Sequence, residues 1–370
     1  MHWNWQQKDW PNFDYDATQM AEFERQFQHQ SGLLTGLTRH IDGDDKIALI
    51  VDFLSAEAIK TSEIEGEYLN RESVQSSIRR DFGLVTDQRA ISPAEAGIAA
   101  MMINLYRNFE QPLTHQMLYG WHRMLVQGRN DLADIGCYRR HPEPMQIISG
   151  PLHRPNIHFE APPSEIIAAE MDAFINWYNH THPNGKTPLP ALTRAGIAHL
   201  YFVSLHPFED GNGRIARAIT EKALSESLGR PVLIALSQTI AASRKRYYDS
   251  LERNNKHNRI TDWMVYMAAT IVTAQHHAEM KINFLINKTK FYDINRGQLN
   301  DRQQKVIARL FEAGHEGFTG GLSAENYIAI THISRATATR DLQDLAQKKI
   351  LRREGELKRT RYYLNIPRTG

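Results

Sequence analysis

The segment HPFEDGNGRIAR, from His206 to Arg217, places a histidine, two carboxylates, two glycines and two arginines within twelve residues. It joins two helical patterns, one ending in FVSL and one beginning with GRIAR. A helix interior disfavours glycine by about 1 kcal/mol relative to alanine, and adjacent charges are costly to bury. The segment therefore predicts a functional turn between two helices rather than ordinary packing.

The turn EDGNG has the composition of an anion-binding site. If the second helix begins at Gly213, the first backbone N–H groups of that helix point outward and attract negative charge. Gly211 and Gly213 let the backbone approach a phosphate closely, and Asn212 adds a side-chain donor. Arg214 and Arg217 share one helical face. Together these residues predict a polyphosphate site.

The same segment offers catalytic groups. Neutral His206 is suited to take a proton from a hydroxyl, because its ordinary pKa of about 6.5 makes it a useful base at neutral pH. Asp210 is suited to hold Mg²⁺, which favours carboxylate and phosphate oxygens. We expect Phe208 to pack inward and Glu209 to be an exposed spacer. A lysine-based phosphate loop, GxxxxGK[ST], is missing from this stretch.

The composition predicts a folded protein with more than one domain. The chain has 370 residues, of which 41% are apolar and 23% charged, and 44 Lys and Arg nearly balance 42 Asp and Glu. Cys137 is the only cysteine, so an intrachain disulfide is excluded and a reducing compartment is favoured. The apolar runs fall short of a membrane span. We therefore expect a cytoplasmic protein without membrane contact.

Helical periodicity dominates the chain. One apolar face is formed by Ile47, Ile50, Val51, Leu54 and Ala58, and Asp44 or Asp45 is the expected N-cap of this helix. Two β-prone runs, QIIS and NIHF, flank a Gly-Pro turn signal and predict a β-hairpin on a helical domain. An exposed hairpin edge can receive an extended peptide by strand addition, or it can be an ordinary surface hairpin.

The C-terminal part has a different pattern. LNDRQQKVIARLFEAG, SAENYIAITH and SRATATRDLQDLAQKKI predict three helices, the last with Ser334 as its N-cap, and two short strands follow. This order resembles a winged helix. Residues 348–361 carry seven Lys and Arg against two Glu. The surplus predicts either contact with DNA phosphates or a solvated hairpin in a protein-contact module.

HPFEDGNGRIAR matches the signature HPFx[D/E]GNGRxxR of the Fic family at every defined position. The resemblance extends over roughly Ser92 to Phe284. It implies a mainly α fold, with a helical core that carries a β-hairpin flap. It also implies transfer of AMP from ATP to a Ser, Thr or Tyr hydroxyl of a target protein docked at the flap.

The resemblance assigns roles to individual residues. His206 would be the general base and Asp210 the Mg²⁺ ligand. The phosphate cradle would comprise Gly211, Asn212, Gly213, Arg214, Ile215, Ala216 and Arg217. The flap residues bordering the nucleotide would be Ile157, His158, Phe159 and Glu160. From the segment YYDSLERNN, Tyr247 and Asn255 would lie near the adenosine, although Tyr247 could equally be a core aromatic residue.

An upstream segment, TSEIEG, resembles the [S/T]xxxE[G/N] motif of Fic proteins with an N-terminal inhibitory helix. By that resemblance Glu65 would pair with Arg217 and compete with the ATP γ-phosphate for the guanidinium. The alternative is a helix end with Gly66 as its C-terminal cap. The expected domains are an N-terminal helical module with the inhibitory motif (1–91), a Fic catalytic core (92–290) and a winged-helix-like domain (291–370).

Three functions follow from these features. The first is an autoinhibited protein adenylyltransferase that uses ATP and Mg²⁺. The second reverses the chemistry, with Glu65 activating water to remove AMP from a modified protein. The third is a DNA-binding regulator whose core only senses nucleotide, which the intact His206 disfavours because binding alone requires no base. The target protein, the choice of nucleotide donor and dimerisation stay open.

Overall fold

A computed structural model of the chain describes residues 2–39, 41, 43–86, 89–150, 155–314 and 320–366. These residues are mainly helical, with two short antiparallel hairpins. The first eleven helices are α1 (Ala17–Thr38), α2 (Gly43–Ile64), α3 (Arg71–Asp81), α4 (Pro93–Asn108), α5 (His115–Leu125), α6 (Ser164–His180), α7 (Ala191–Leu205), α8 (Asn212–Leu228), α9 (Leu236–Ala242), α10 (Arg244–Asn254) and α11 (Thr261–Ile294). The expected fold class is confirmed.

The chain forms two compact units. One comprises Met1–Thr35 and Asp42–His277, and the other comprises Gly36–Ile41 and Ala278–Gly370. The expected division into three domains stays a prediction.

The core of the larger unit is built around α7 and α8, which the HPFEDGNGRIAR turn connects. Nearly every residue of both helices is buried, so neither has the polar face of a surface helix. Pro190 precedes α7 and fixes its entry, and Gly229, with φ 62°, ends α8. The turn between the two helices is therefore held by a rigid, packed pair.

The sequence correctly located the first helices, but not the start of α2. Asp44 and Asp45 lie in the first turn of α2, which begins at Gly43, so neither is its N-cap. In that position their carboxylates face the positive end of the helix dipole.

The predicted hairpin is formed by β1 (Gln146–Ser149) and β2 (Asn156–Glu160), which pair antiparallel. Residues 151–154, including the proline of the expected Gly-Pro turn, lie outside the described residues. The N-terminal segment packs on this hairpin. The Trp3 ring lies 5.4 Å from the Phe159 ring, and Trp5 Nε1 donates to the carbonyl of Glu160 at 2.7 Å.

The smaller unit contains α12 (Asp301–Glu312), α13 (Ala324–Thr331) and α14 (Arg335–Gln347), followed by the hairpin of β3 (Leu351–Glu354) and β4 (Arg361–Leu364). Ser334 is the N-cap of α14 and accepts from the Thr337 N–H at 3.3 Å. Leu322 adds a bridge to Tyr362 in β4. The three helices and the hairpin thus enclose a separate apolar core.

Among the described residues, no helix is both long and apolar enough to cross a membrane.

Candidate active site

His206 follows α7 in a backbone conformation that residues other than glycine rarely adopt. Its φ and ψ are 47° and 56°, and a non-glycine residue in this left-handed region costs on the order of 1–3 kcal/mol unless its surroundings hold it. Arg139 holds this turn. Its Nε donates to the His206 carbonyl at 2.9 Å, and its backbone N–H donates to the Pro207 carbonyl at 2.9 Å.

The Arg139 side chain also joins the histidine turn to the base of the hairpin. The residue is 1% exposed, and its guanidinium donates to the Pro162 carbonyl and, at 2.9 Å, to Ser164 Oγ. Pro162 follows β2, and Ser164 begins α6. A single buried arginine therefore fixes the position of His206 relative to the hairpin.

The imidazole of His206 is neutral at neutral pH. Removal from water and the nearby charge of Arg139 lower its pKa to about 4. Its Nδ1 is buried and has no hydrogen-bond partner among the described residues. A neutral imidazole has one ring nitrogen without a proton, and that nitrogen can accept a proton as a general base must.

The turn after His206 is closed by the side chain of Asn212. Its Oδ1 accepts from the Phe208 N–H at 3.0 Å, and its Nδ2 donates to the Phe208 carbonyl at 2.7 Å. Gly211 precedes α8 with φ 82°. Because the first N–H groups of α8 have no carbonyl one turn earlier, they form an anion-binding helix start. The Asn212 side chain, expected to donate to phosphate, instead shapes this turn.

The Glu65 carboxylate lies over this helix start. Its Oε1 is 2.8 Å from Arg217 Nη2, and a Cβ atom at Gly213 would collide with the same oxygen. Arg217 is 1% exposed and also donates from Nε to Thr61 Oγ1 at 2.6 Å. Its Nη1 has no hydrogen-bond partner among the described residues. Glu65 thus occupies a position suited to an anionic group of a ligand.

Besides the Glu65–Arg217 pair, two buried carboxyl groups connect α2 with α8. Glu57 and Glu221 share a hydrogen bond, and Glu57 Oε2 accepts from the Ser237 N–H at 2.9 Å. Burial raises the pKa of Glu57. Burial and the neighbouring Glu57 raise the pKa of Glu221 further. Both shifts favour the protonated form, and the shared proton links the two helices.

Asp210 lies at the edge of the cradle. Its Oδ2 is 2.7 Å from Arg129 Nη1, its Oδ1 is 3.5 Å from Arg214 Nη2, and Asp131 also binds Arg129. Burial raises the pKa of Asp210, but Arg214, a backbone N–H and Arg129 lower it more, so it is ionised at neutral pH. Within the described ranges no three His, Cys, Asp or Glu residues group as a metal site. One half-exposed carboxylate beside a phosphate cradle nevertheless fits Mg²⁺, which takes most other ligands from phosphates and water.

The neighbouring Glu209 is not the exposed spacer expected from the sequence. Its Oε2 accepts from the backbone N–H groups of Ala133 at 2.8 Å and Asp134 at 3.1 Å. It therefore fixes the loop that follows α5 against the motif. Arg214, which shares the motif's helical face with Arg217, pairs with Glu67 at 2.6 Å.

The four hairpin residues do not share one environment. Ile157 is 42% exposed, whereas Phe159 is buried against Trp3. His158 Nδ1 lies 2.9 Å from Glu252 on α10, and Glu160 Oε2 accepts from Gln146 in the paired strand. Ile157 is thus the member of the set that is most available to a ligand.

The two residues expected near an adenosine lie on or beside α10. Tyr247 is 1% exposed, and its hydroxyl is 2.8 Å from His199 Nε2, which places the ring in the core. Asn255 Nδ2 donates to the His158 carbonyl at 3.1 Å. The adjacent Tyr248 is the tyrosine at the cradle, with its hydroxyl 3.3 Å from Glu65 Oε2.

Sequence reasoning missed several residues of this site. Thr61, the first residue of TSEIEG, carried a signal, because it is a defined position of that motif. Arg139, Tyr248 and the Glu57–Glu221 pair carried none that a single sequence can show. Each of these residues has a chemically similar residue nearby in the chain. Only tertiary packing shows which of the two lies in the site.

Comparisons with known proteins agree with this geometry. Residues 112–224 match a sequence model described as Fic/DOC family, and residues 3–84 match one described as Domain of unknown function (DUF4172). Two relatives named Protein adenylyltransferase Fic are 33% identical over 90 residues (Drosophila virilis) and 30% identical over 131 residues (Drosophila melanogaster). These matches cover 24% and 35% of this chain, but 17% and 23% of the relatives.

A solved structure shares the fold. The crystal structure of a Fic family protein from Desulfovibrio desulfuricans G20 aligns with a TM-score of 0.54 at 19% identity, over 94% of this chain and 95% of that one. The solved structure shows a shared helical fold, and the family match together with the named relatives supports a Fic-type enzyme. Residues 112–224 of this chain form a Fic/DOC domain.

The role of Arg139 can be tested against its neighbour, because the Arg140 side chain is 76% exposed. Arg139→Gln should destabilise the protein by roughly 3 kcal/mol or more, since buried carbonyls lose their donor. It should also raise the pKa of His206 above about 4 by removing a nearby positive charge. Thermal unfolding and NMR titration of the His206 ring measure the two effects. Arg140→Gln should leave the pKa of His206 unchanged, and an equal rise of that pKa in the two variants would contradict this role.

The buried carboxyl pair predicts a pH dependence of stability. Because folding raises the pKa of Glu221, the folded state retains a proton that the unfolded state loses, and stability falls as pH rises above about 4.5. Each such group contributes a slope of at most about 1.4 kcal/mol per pH unit. Glu221→Gln should flatten this slope in unfolding experiments between acidic and mildly alkaline pH. The matched control Glu143→Gln, at a side chain that is 77% exposed, should leave it unchanged. Parallel curves for all three proteins would exclude the shared proton.

Proposed function

We propose that this chain transfers AMP from ATP to a Ser, Thr or Tyr hydroxyl of a target protein, and that Glu65 inhibits the transfer. One observation carries the proposal: a neutral histidine adjoins an anion-binding helix start, and Glu65 occupies the anion position there. The Drosophila relatives, which are named as protein adenylyltransferases, favour the same activity.

In this mechanism the cradle binds the ATP phosphates. The N–H groups at the start of α8 supply affinity without a lysine, and Gly213 leaves room for close approach. Arg217 is the cation for the terminal phosphate, since its guanidinium is buried beside the cradle and Nη1 is unused. When bound, Mg²⁺ would neutralise phosphate charge, with Asp210 as its protein ligand.

His206 performs the proton transfer. The target hydroxyl attacks the α-phosphorus, the bond from that phosphorus to the α–β bridging oxygen breaks, and pyrophosphate leaves. His206 takes the hydroxyl proton as the new P–O bond forms. Arg139 keeps the imidazole in position, so the base need not reorganise during the reaction.

The target is proposed to dock along the hairpin of β1 and β2. Ile147, Ile148 and Ile157 are each more than 40% exposed on this short two-stranded sheet. An extended segment can add a strand beside them and bring its hydroxyl toward His206, to which the hairpin is joined through Arg139.

Glu65 inhibits by taking the partner that the terminal phosphate needs. While the Glu65–Arg217 pair persists, ATP lacks that contact and its α-phosphate is not aligned with the incoming hydroxyl. ATP can still bind the rest of the cradle, so Glu65 inhibits by misplacing the ATP phosphates and not by preventing ATP from binding. The loss of in-line geometry is sufficient to stop transfer.

Removal of AMP from a modified protein is the second candidate. The Glu65 side chain is 28% exposed while it contacts the cradle, so water can reach it there. As a carboxylate it can take a proton from water that attacks the phosphorus of a bound AMP-protein. Transfer is the preferred function, because His206 has the position and protonation state of its base.

The activity itself is tested with ATP labelled on either the α- or the γ-phosphate. Purified protein incubated with a cell extract should incorporate the α label into protein and not the γ label, with a mass gain of one AMP. Incorporation of γ label would indicate a kinase, and no incorporation by either the parent or the variants below would overturn the proposal.

His206→Ala should abolish transfer while nucleotide binding persists. Loss of a general base lowers the rate by about 10²–10⁴, whereas the backbone cradle that binds phosphate is unaffected. Label incorporation and calorimetric ATP binding measure the two properties. His180→Ala, at the exposed end of α6, is the matched control and should transfer normally. A His206→Ala protein as active as the parent would exclude this base.

Glu65→Gly should increase transfer, visible first as self-modification, by roughly tenfold or more, because a charge-assisted hydrogen bond is worth about 1.5–3 kcal/mol. Glu63→Gly provides a control in α2, since Glu63 pairs with Lys60 instead of Arg217. His206→Ala in the Glu65→Gly background should be inactive. No increase in the Glu65 variant would contradict autoinhibition, and loss of an AMP-removing activity there would favour the second candidate.

A further inference from the structure

The positive charge of this chain is concentrated in its last quarter. Residues 278–370 contain 17 Lys and Arg against 10 Asp and Glu, although the whole chain has 44 against 42. The remainder of the chain is therefore slightly acidic. Such a segregated surplus is the electrostatic pattern of a nucleic-acid partner, and the proposed nucleotide site does not account for it.

One face of α14 is exposed along its length. The residues of this face recur at helical spacing and are Ala336, Thr339, Arg340, Gln343 and Gln347, and Arg335 in the first turn is exposed as well. The opposite face, with Ala338, Leu342 and Leu345, packs in the core of the smaller unit. Arginine, glutamine, threonine and alanine are residue types that contact base edges and thymine methyl groups in the major groove.

The carboxylates of α14 lie off this face and are paired. Asp341 is 4% exposed and accepts from Arg302 Nε at 2.9 Å and from the Tyr327 hydroxyl at 3.1 Å. Asp344 pairs with Lys348 at 2.7 Å. This face of α14 consequently carries the Arg340 charge and no acidic side chain of α14 itself, and the neighbouring exposed carboxylate of Glu325 is paired with Arg335.

The hairpin of β3 and β4 extends this surface. Arg335, at the start of α14, pairs with Glu325 on α13 at 3.0 Å, and both side chains are exposed. β3 follows α14 closely in the chain, and residues of both pack in the same core. Arg353 is exposed on the paired strand β3.

We infer that the smaller unit binds duplex DNA, with the exposed face of α14 in the major groove and the β3–β4 hairpin against the phosphate backbone. The major groove of B-DNA is about 12 Å wide and admits an α-helix, whereas the deep groove of duplex RNA is too narrow for side-chain readout. The inference is independent of the proposed AMP transfer, because it uses none of the cradle residues.

The test uses the full-length protein and a pool of random-sequence DNA duplexes. Selection from the pool followed by fluorescence anisotropy should give salt-sensitive binding and a preferred sequence. Arg340→Ala should weaken binding to that sequence on the order of tenfold. Arg353→Ala should flatten the dependence of affinity on salt by about one unit of slope, as expected for one phosphate contact.

Arg309→Ala is the matched control, because Arg309 lies on α12, is 59% exposed and pairs with Glu312. It removes the same charge outside the proposed surface and should leave binding unchanged. Thermal unfolding of each variant confirms that the unit is folded. If Arg309→Ala and Arg340→Ala lost DNA affinity equally, the loss would come from net charge alone. That result would overturn the inference. No salt-sensitive duplex binding, or tighter binding to duplex RNA, would overturn it as well.

Discussion

The guanidinium of Arg217 is a full positive charge held almost entirely out of water, and such a charge requires anionic or carbonyl partners. In this chain Thr61 of α2 and Glu65, which directly follows α2, supply them. Because these two residues are four apart, they lie on one face of the α2 path and meet one side of α8. The docking of the N-terminal helices is thereby fixed by the residue that lines the cradle. The contact that stabilises the docking of the N-terminal helices is consequently the same contact that places Glu65 in the cradle.

The same principle positions the catalytic histidine. The left-handed backbone conformation of His206 is unfavourable by itself. Arg139, which is buried, stabilises it by donating hydrogen bonds to two successive backbone carbonyls. The arginine in turn requires the ends of the hairpin and of α6 as acceptors. The turn geometry is thus determined by residues well outside the signature, which explains how a short segment can hold a precise arrangement.

The sequence predicted those parts of the protein that depend on local pattern. Helical periodicity, the two hairpins and the cradle turn each follow from residues close together in the chain, and the Glu65–Arg217 contact could be expected because both motifs resemble known ones. Arg139 could not be distinguished from Arg140, since burial depends on contacts more than twenty residues away. The shared proton of Glu57 and Glu221 was equally invisible, because two carboxylates on separate helices become partners only after packing. Glu209 was misassigned for the same reason.

The contacts of the N-terminal segment restrict which parts of the gene can be exchanged by recombination. Trp3 and Trp5 pack on the hairpin, and the α2 helix completes the surroundings of Arg217. Residues 112–224 alone contain none of these partners. A recombination event that exchanged only that segment would separate a hairpin from its aromatic cover and a buried cation from its acceptors. The N-terminal helices and the Fic segment should therefore pass between genomes as one evolutionary unit, and their residues should change in concert.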